Sequence, residues 1–362
     1  MRYRAGPGVG AAVSVGSLIS TRSCSAGLGC RSTYPGRSAE NRDRRLIVAP
    51  RTVAELGEAG VIALINSDRS QPATTLLGPG DDAAVLAAPD GRVVVTTDML
   101  VQGRHFRLDW SDPADVGAKA IAQNAADVVA MGARPTGFVV ALGCPGDTPL
   151  ATVEALAAGM WAEAARAGGG IVGGDLVQSP MMVLSVAAFG DLDGRDPVRL
   201  TGARPGDILG YAGRFGWSAA GLALLEAERT EPAEPIAVHR RPAPPYRAGV
   251  AAGRAGATAM TDVSDGLIAD LAQLAAASGV RIDLAAARVV DPALTGIAAE
   301  LGADPRVWTL TGGEDHALVA TFDPRSDIPA GWRTAGTVGP GSGVWVDGVR
   351  WSGAGGWESF TR

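Results

Sequence analysis

Four acidic clusters stand far apart in this chain, each beside glycine or a hydroxyl residue where a strand pattern gives way to a loop. They are Gly80-Asp81-Asp82, Thr96-Thr97-Asp98, Gly173-Gly174-Asp175 and Asp262-Val263-Ser264-Asp265-Gly266. A fifth carboxylate, Asp127, falls on a helical pattern. Any fold that gathers these groups must answer their mutual repulsion with cations. Oxygen-only ligands select hard ions, which makes Mg²⁺ the first candidate. An acidic site that holds magnesium commonly does so to grip phosphate groups, so the fold expected is one that brings distant loops to a single phosphate-binding cleft.

Composition narrows the choice further. Lys119 is the only lysine, against 31 arginines, and it is followed by Ala120. A lysine-bearing phosphate loop of the G-x-x-x-x-G-K-[ST] type is therefore absent. Phosphate charge must be met by metal ions, arginines and backbone N–H groups. The net charge of −6 argues against non-specific nucleic-acid binding. No run approaches the roughly 20 apolar residues of a membrane span. The three cysteines, Cys24, Cys30 and Cys144, form neither a disulfide framework nor a zinc pattern. A reducing cytoplasm is the expected setting.

Residues 1–50 carry eight arginines, only Glu40 and Asp43 as acids, and no sustained helical period. We expect a disordered extension or a mis-assigned start there, with a transit peptide as the alternative. Folded sequence starts near Thr52. Strand and helix patterns then alternate, which predicts an α/β protein of two domains, 51–195 and 196–362, joined through the turn-rich stretch Asp191 to Pro205. Arg92 to Thr97 reads as a buried strand running into Asp98. Asp112 and Pro113 start a helix that ends at Gly132. Ile171-Val172 reads as a short strand ending at Asp175. Thr261-Asp262 ends another strand, and Pro232 to Pro245 reads as a proline-rich connection.

Each cluster has an ordinary structural alternative. Gly80-Asp81-Asp82 could be a surface turn, with either Asp81 or Asp82 as a ligand if it is more. Thr96-Thr97-Asp98 could simply close a strand. Two glycines before Asp175 suit close approach of a ligand to the backbone, or a tight turn. Ser264 or Asp265 could cap a helix or face a phosphate. Asn124 and Asp127 share an otherwise apolar helix face, where an unpaired carboxylate is costly, and this favours a functional role more than the loops do. His105 is a single histidine of a mixed polar and aromatic loop.

Together the stretches LGPGDDAAVL, VTTDMLVQGRHF, KAIAQNAADVVAMGA, IVGGD, DVSDGLIADL, LTGGEDHAL and GGWESF resemble the thiamine-monophosphate kinase family, within the superfamily of aminoimidazole-ribonucleotide synthetase and selenophosphate synthetase. The resemblance runs in family order from about Thr52 to Phe360. It implies an N-terminal sheet domain that dimerises, a C-terminal α/β domain, and transfer of a phosphoryl group from ATP to thiamine monophosphate. It implies metal ligands at Asp82, Thr96, Thr97, Asp98, Asp127, Asp175, Asp262 and Asp265, and several Mg²⁺ ions. It implies ATP contacts at Gly174, Asp175 and Ser264, and substrate contacts at His105, Glu314 and Trp357. Trp357 suits a cationic ring. One departure concerns an ATP-contacting arginine that the family places where this chain has Leu200, with Arg199 one residue earlier. The alternative function is another ATP-dependent synthetase or maturation factor of the superfamily. A cation-binding protein without turnover is a third reading.

Overall fold

A computed structural model describes residues 52–80 and 83–357. The extension 1–50, the ligand candidates Asp81 and Asp82, and residues 358–360 of the closing motif lie outside the described residues.

The chain opens with two short helices, α1 (Val53–Leu56) and α2 (Glu58–Asn66), and a small hairpin, β1 (Thr75–Leu77) with β2 (Val85–Leu86). Thr52 and Glu55 form a reciprocal capping box at the start of α1. Then follow β3 (Val94–Val101), α3 (Pro113–Ala130), β4 (Arg134–Cys144), α4 (Leu150–Ala167), β5 (Gly170–Gln178) and β6 (Val183–Asp191). Their strands form one sheet in the order β3-β6-β4-β5.

The second half contributes β7 (Ile208–Ala212), α5 (Trp217–Glu226), α6 (Ala233–Arg240), α7 (Tyr246–Arg254), β8 (Ala259–Val263), α8 (Leu267–Ser278) and β9 (Arg281–Leu284). It ends with α9 (Leu294–Leu301), α10 (Pro305–Thr311), β10 (Ala317–Phe322), β11 (Arg333–Gly339), β12 (Gly343–Val346) and β13 (Val349–Arg350). These strands build a seven-stranded sheet in the order β13-β12-β9-β11-β7-β10-β8. The change from one sheet to the other falls between β6 and β7.

Helix α3 is buried along almost its whole length, from Val116 to Ala130 with only Asp127 half-buried. A helix apolar all round must be covered on every side. Here the four-stranded sheet and α4 cover one side, while α7, β8 and β10 of the second half cover the other. Asp127 is thus held where the two halves meet.

Three sequence expectations change. Thr96-Thr97-Asp98 lies in mid-strand, because β3 pairs with β6 from Val94 to Val101. Asp175 is also interior to its strand: β5 runs nine residues, since pairing with β4 as far as Gln178 outweighs the weak strand preference of its glycines. The connection Pro232 to Pro245 contains helix α6, which tolerates Pro235 because that residue sits in the first turn, where no intrahelical N–H bond is lost.

Candidate active site

Side chains alternate across a strand, so β3 divides its cluster between two faces. Thr96 and Asp98 point toward α3. The Thr96 hydroxyl donates to Asp127 Oδ2 at 2.7 Å, and the Asp98 backbone N–H donates to Asn124 Oδ1 at 2.9 Å. Asn124 is anchored in turn by a bond from its Nδ2 to the Ala120 carbonyl at 2.8 Å. Thr97 points to the other face, its hydroxyl donating to the Val186 carbonyl at 2.9 Å.

The β8–α8 turn brings Asp262, Ser264 and Asp265 to the same place from the second half. Its shape depends on Asp270. One buried oxygen, Asp270 Oδ2, accepts the backbone N–H groups of Ser264, Asp265 and Gly266 at 3.1–3.2 Å. Gly266 has φ 139°, a conformation rarely open to other residues, and a side chain there would also strike the Thr311 carbonyl. A second turn straps onto the first. Glu314 N–H bonds the Ser264 carbonyl at 2.8 Å and His316 N–H bonds the Val263 carbonyl at 2.9 Å. Glu314 and His316 adopt left-handed backbone at φ 63° and 48°. Such strain persists only where surroundings over-determine it. Asp315 between them accepts Gly216 and Ser218 N–H groups at 2.6 and 3.0 Å. The chain end is tied in as well, by Trp357 N–H to the Asp265 carbonyl at 2.9 Å.

The electrostatics reflect the convergence of four carboxylates. Burial pushes Asp127 up to about 7, with the charges of Asp262 and Asp98 adding to it. Burial also raises Asp98, and Asp262 and Asp265 add to that effect. Asp265 is raised by burial and by Asp262. A histidine faces this charge: His316 Nδ1 lies 3.1 Å from Asp262 Oδ2. Burial alone would lower the His316 pKa, but this hydrogen bond and charge outweigh it and the pKa rises.

The donors are all oxygens, and they are short of positive charge. Among the described residues no three His, Cys, Asp or Glu side chains form a ready metal cage. Magnesium needs none, since it keeps several waters and binds through one or two carboxylates plus substrate phosphates. The residues present therefore fit Mg²⁺.

Beside the acidic cluster lie His105, Glu314 and Trp357. His105 Nδ1 accepts the Val101 backbone N–H at 3.0 Å, which leaves its Nε2 as the donor of a neutral ring. Burial lowers the pKa of that ring. Lys119 bridges to Glu314 Oε1 at 2.9 Å. Trp357 is half-exposed, with the Arg104 guanidinium carbon 4.8 Å from its ring centroid.

Gly174 and Asp175 stand apart from this group. Across the sheet, Asp98 aligns with Val186, Val140 and Gly174 in turn. Three inter-strand spacings, about 14 Å, separate β3 from β5. Asp175 shares the outer face with Thr97, and both ATP-contact candidates line a cavity of about 750 Å³ with Gly80, Ala83 and Trp161. Leu200 packs on the second core. Arg199 lines a different cavity, of about 470 Å³, that includes none of the predicted site residues. Sequence reasoning missed Asp270 and gave no role to Lys119 or His316. The partners of Lys119 and His316 are distant in sequence, so no local pattern marks them, whereas Asp270 lies only four to six residues from the N–H groups it accepts, a local spacing at a helix start that could have marked it.

Comparison with known proteins follows the same two halves. The family model described as AIR synthase related protein, N-terminal domain, matches residues 80–192, and that of the C-terminal domain matches 204–306. Thiamine-monophosphate kinase of Mycobacterium tuberculosis is 57% identical over 323 residues, covering 88% of this chain and 96% of that protein. The solved thiamine monophosphate kinase of Aquifex aeolicus superposes with a TM-score of 0.69 at 32% identity, covering 83% and 99% of the two chains. A further solved structure, AaThiL complexed with AMPPCP and TMP, gives a TM-score of 0.67 at 31% identity, covering 84% and 98%.

Proposed function

This chain belongs to the thiamine-monophosphate kinase family, and from that premise we propose that the acidic cleft between β3, α3 and the β8–α8 turn is where it transfers phosphate. The reaction is ATP-dependent phosphorylation of thiamine monophosphate to thiamine diphosphate. The observation that carries the site assignment is the meeting of Asp98, Asp127, Asp262 and Asp265 from opposite halves of the molecule.

Thr96, Asp98, Asp127, Asp262 and Asp265 would hold Mg²⁺, with Asp82, Thr97 and Asp175 as the other members of the proposed set. Bound there, magnesium would neutralise charge on the phosphates. The protein's share is positioning. Asp270 fixes the turn that carries Asp262 to Asp265. Asn124 holds the β3 backbone at Asp98. His105, Glu314 and Trp357 orient thiamine monophosphate so that its phosphate oxygen faces the γ-phosphorus. That oxygen is ionised at neutral pH, so no general base is required. It forms the new P–O bond as the bond to the β,γ-bridging oxygen breaks, and ADP leaves without a phosphoenzyme. Gly174, Asp175 and Ser264 are the proposed ATP contacts.

We also propose a homodimer. The outer face of the four-stranded sheet exposes Val95, Met99 and Val177, an apolar surface that water covers poorly. A second copy on that face would bring the β5 edge of one chain toward the β3 edge of the other. In that arrangement Asp175 can join Thr97.

The test is turnover by the full chain. With ATP, Mg²⁺ and thiamine monophosphate, ADP and thiamine diphosphate should form in equal amounts, and omission of either magnesium or the acceptor should stop the reaction. ADP release at an undiminished rate without the acceptor would refute the assignment.

A further inference from the structure

Arginine supplies every basic side chain in this protein except one lysine and three histidines. The lysine, Lys119, is 3% exposed on α3. Its ammonium lies 2.9 Å from Glu314 Oε1 and donates to the His105 carbonyl at 3.2 Å. Those two bonds join α3 to the loop after β3 and to the turn before β10. Glu314 Oε2 in turn lies 3.5 Å from His239 Nδ1, which hydrogen-bonds Ser218 Oγ at 3.0 Å. Burial would raise the Glu314 pKa, but the Lys119 ammonium outweighs it and holds the carboxyl below its usual range. An ammonium is compact, and its donors can rotate to meet two acceptors. A guanidinium would bring five donors in a rigid plane to the same two acceptors and leave several buried without partners.

We propose that Lys119 is the positioning residue of the acceptor pocket, holding the Glu314 carboxylate and the His105 loop in the geometry that receives thiamine monophosphate, in a role that arginine cannot fill. The proposal rests on the reading of Glu314 and His105 as acceptor contacts. It also refines that reading. Glu314 meets the substrate already neutralised, so it serves as a hydrogen-bond acceptor for substrate N–H groups. Recognition of the positive ring charge falls to the face of Trp357.

The test is steady-state kinetics on the full chain, varying thiamine monophosphate and ATP separately, for wild type, K119R, K119M, E314Q and the K119M/E314Q double variant, each with a melting temperature. K119R and K119M should each raise the KM for thiamine monophosphate about 10- to 100-fold, as loss of a buried charge partner does. The KM for ATP should stay within about twofold, since the groups proposed to bind ATP are untouched. In the E314Q background, K119M should add little, because the lysine acts through that carboxylate. K119R with wild-type constants would overturn the proposal, as would an undiminished K119M effect in the E314Q background. E314Q with a wild-type acceptor KM would overturn the underlying reading of Glu314 instead. If K119M alone fails to fold, K119R and the double variant, which removes both charges of the pair, still decide the matter.

Discussion

Gly173 and Gly174 are neighbours on β5, yet they should respond to alanine in opposite ways. A methyl group on Gly174 would stand 2.0 Å from the Val140 carbonyl oxygen and 3.0 Å from its carbon. Carbon–oxygen contacts settle at about 3.3–3.6 Å, so β5 must move off β4 by about 1 Å. Overpacking of this kind costs about 1–3 kcal/mol. Each ladder hydrogen bond stretched beyond use adds about 1 kcal/mol. Gly174→Ala should therefore destabilise the protein by about 2–4 kcal/mol. Nothing lies within 4 Å of a methyl on Gly173, whose backbone is not left-handed. Gly173→Ala should leave stability unchanged or raise it by about 0.5 kcal/mol through the unfolded chain. Urea unfolding of both variants measures this directly, provided the m-value matches wild type. The same pair separates structure from ligand approach. If nucleotide passes close to the open side of β5, Gly173→Ala should raise the KM for ATP in a fully stable protein. Equal stability of the two variants would refute the reasoning.

Asp98→Asn and Asp127→Asn should each abolish turnover while keeping or raising the melting temperature. Each removes one like charge from a buried cluster, and in Asp127→Asn the amide oxygen can still accept from the Thr96 hydroxyl. A large loss of melting temperature would show these groups to be structural. Trp357→Ala should weaken thiamine monophosphate binding by about 1–2 kcal/mol, a partly desolvated cation–π contact, with the KM for ATP little changed. A lowered melting temperature with an unchanged acceptor KM would reduce Trp357 to an anchor of the chain end. Burial lowers His239 to about 4, so between the unfolded value near 6.5 and that pH only the unfolded chain takes the proton. Its contribution to stability should fall by up to about 3 kcal/mol as pH drops through that window. Urea unfolding of wild type against His239→Asn at several pH values isolates it, and a pH-independent difference between the two would contradict it.

The acidic clusters were legible in the sequence because each combines carboxylate with glycine or hydroxyl, and Asp127 because a charge on an apolar helix face needs a reason. What the clusters do relative to one another was less legible. Reading Thr96-Thr97-Asp98 as a strand end hid the alternation that sends Thr97 to the outer face and Thr96 and Asp98 to the inner one. Reading Gly173-Gly174 as room for a ligand missed that Gly174 is needed for strand pairing with Val140. His316 and Lys119 carry no local signature. His316 matters because Asp262 lies opposite, which only packing decides, while Asp270 sits four to six residues after the turn N–H groups that point at it, a local pattern the reading overlooked. Helix α6 was hidden by prolines that happen to sit where a first turn accepts them.

The central claim is that one acidic cleft, assembled from both halves of the chain, binds nucleotide through magnesium. Titration calorimetry with a non-transferable ATP analogue, with and without Mg²⁺, tests it on wild type and on Asp127→Asn and Asp262→Asn, one from each half. The account predicts magnesium-dependent binding by wild type and its loss in both variants, with melting temperatures showing that each remains folded. Magnesium-dependent binding of wild-type strength in either folded variant would contradict it.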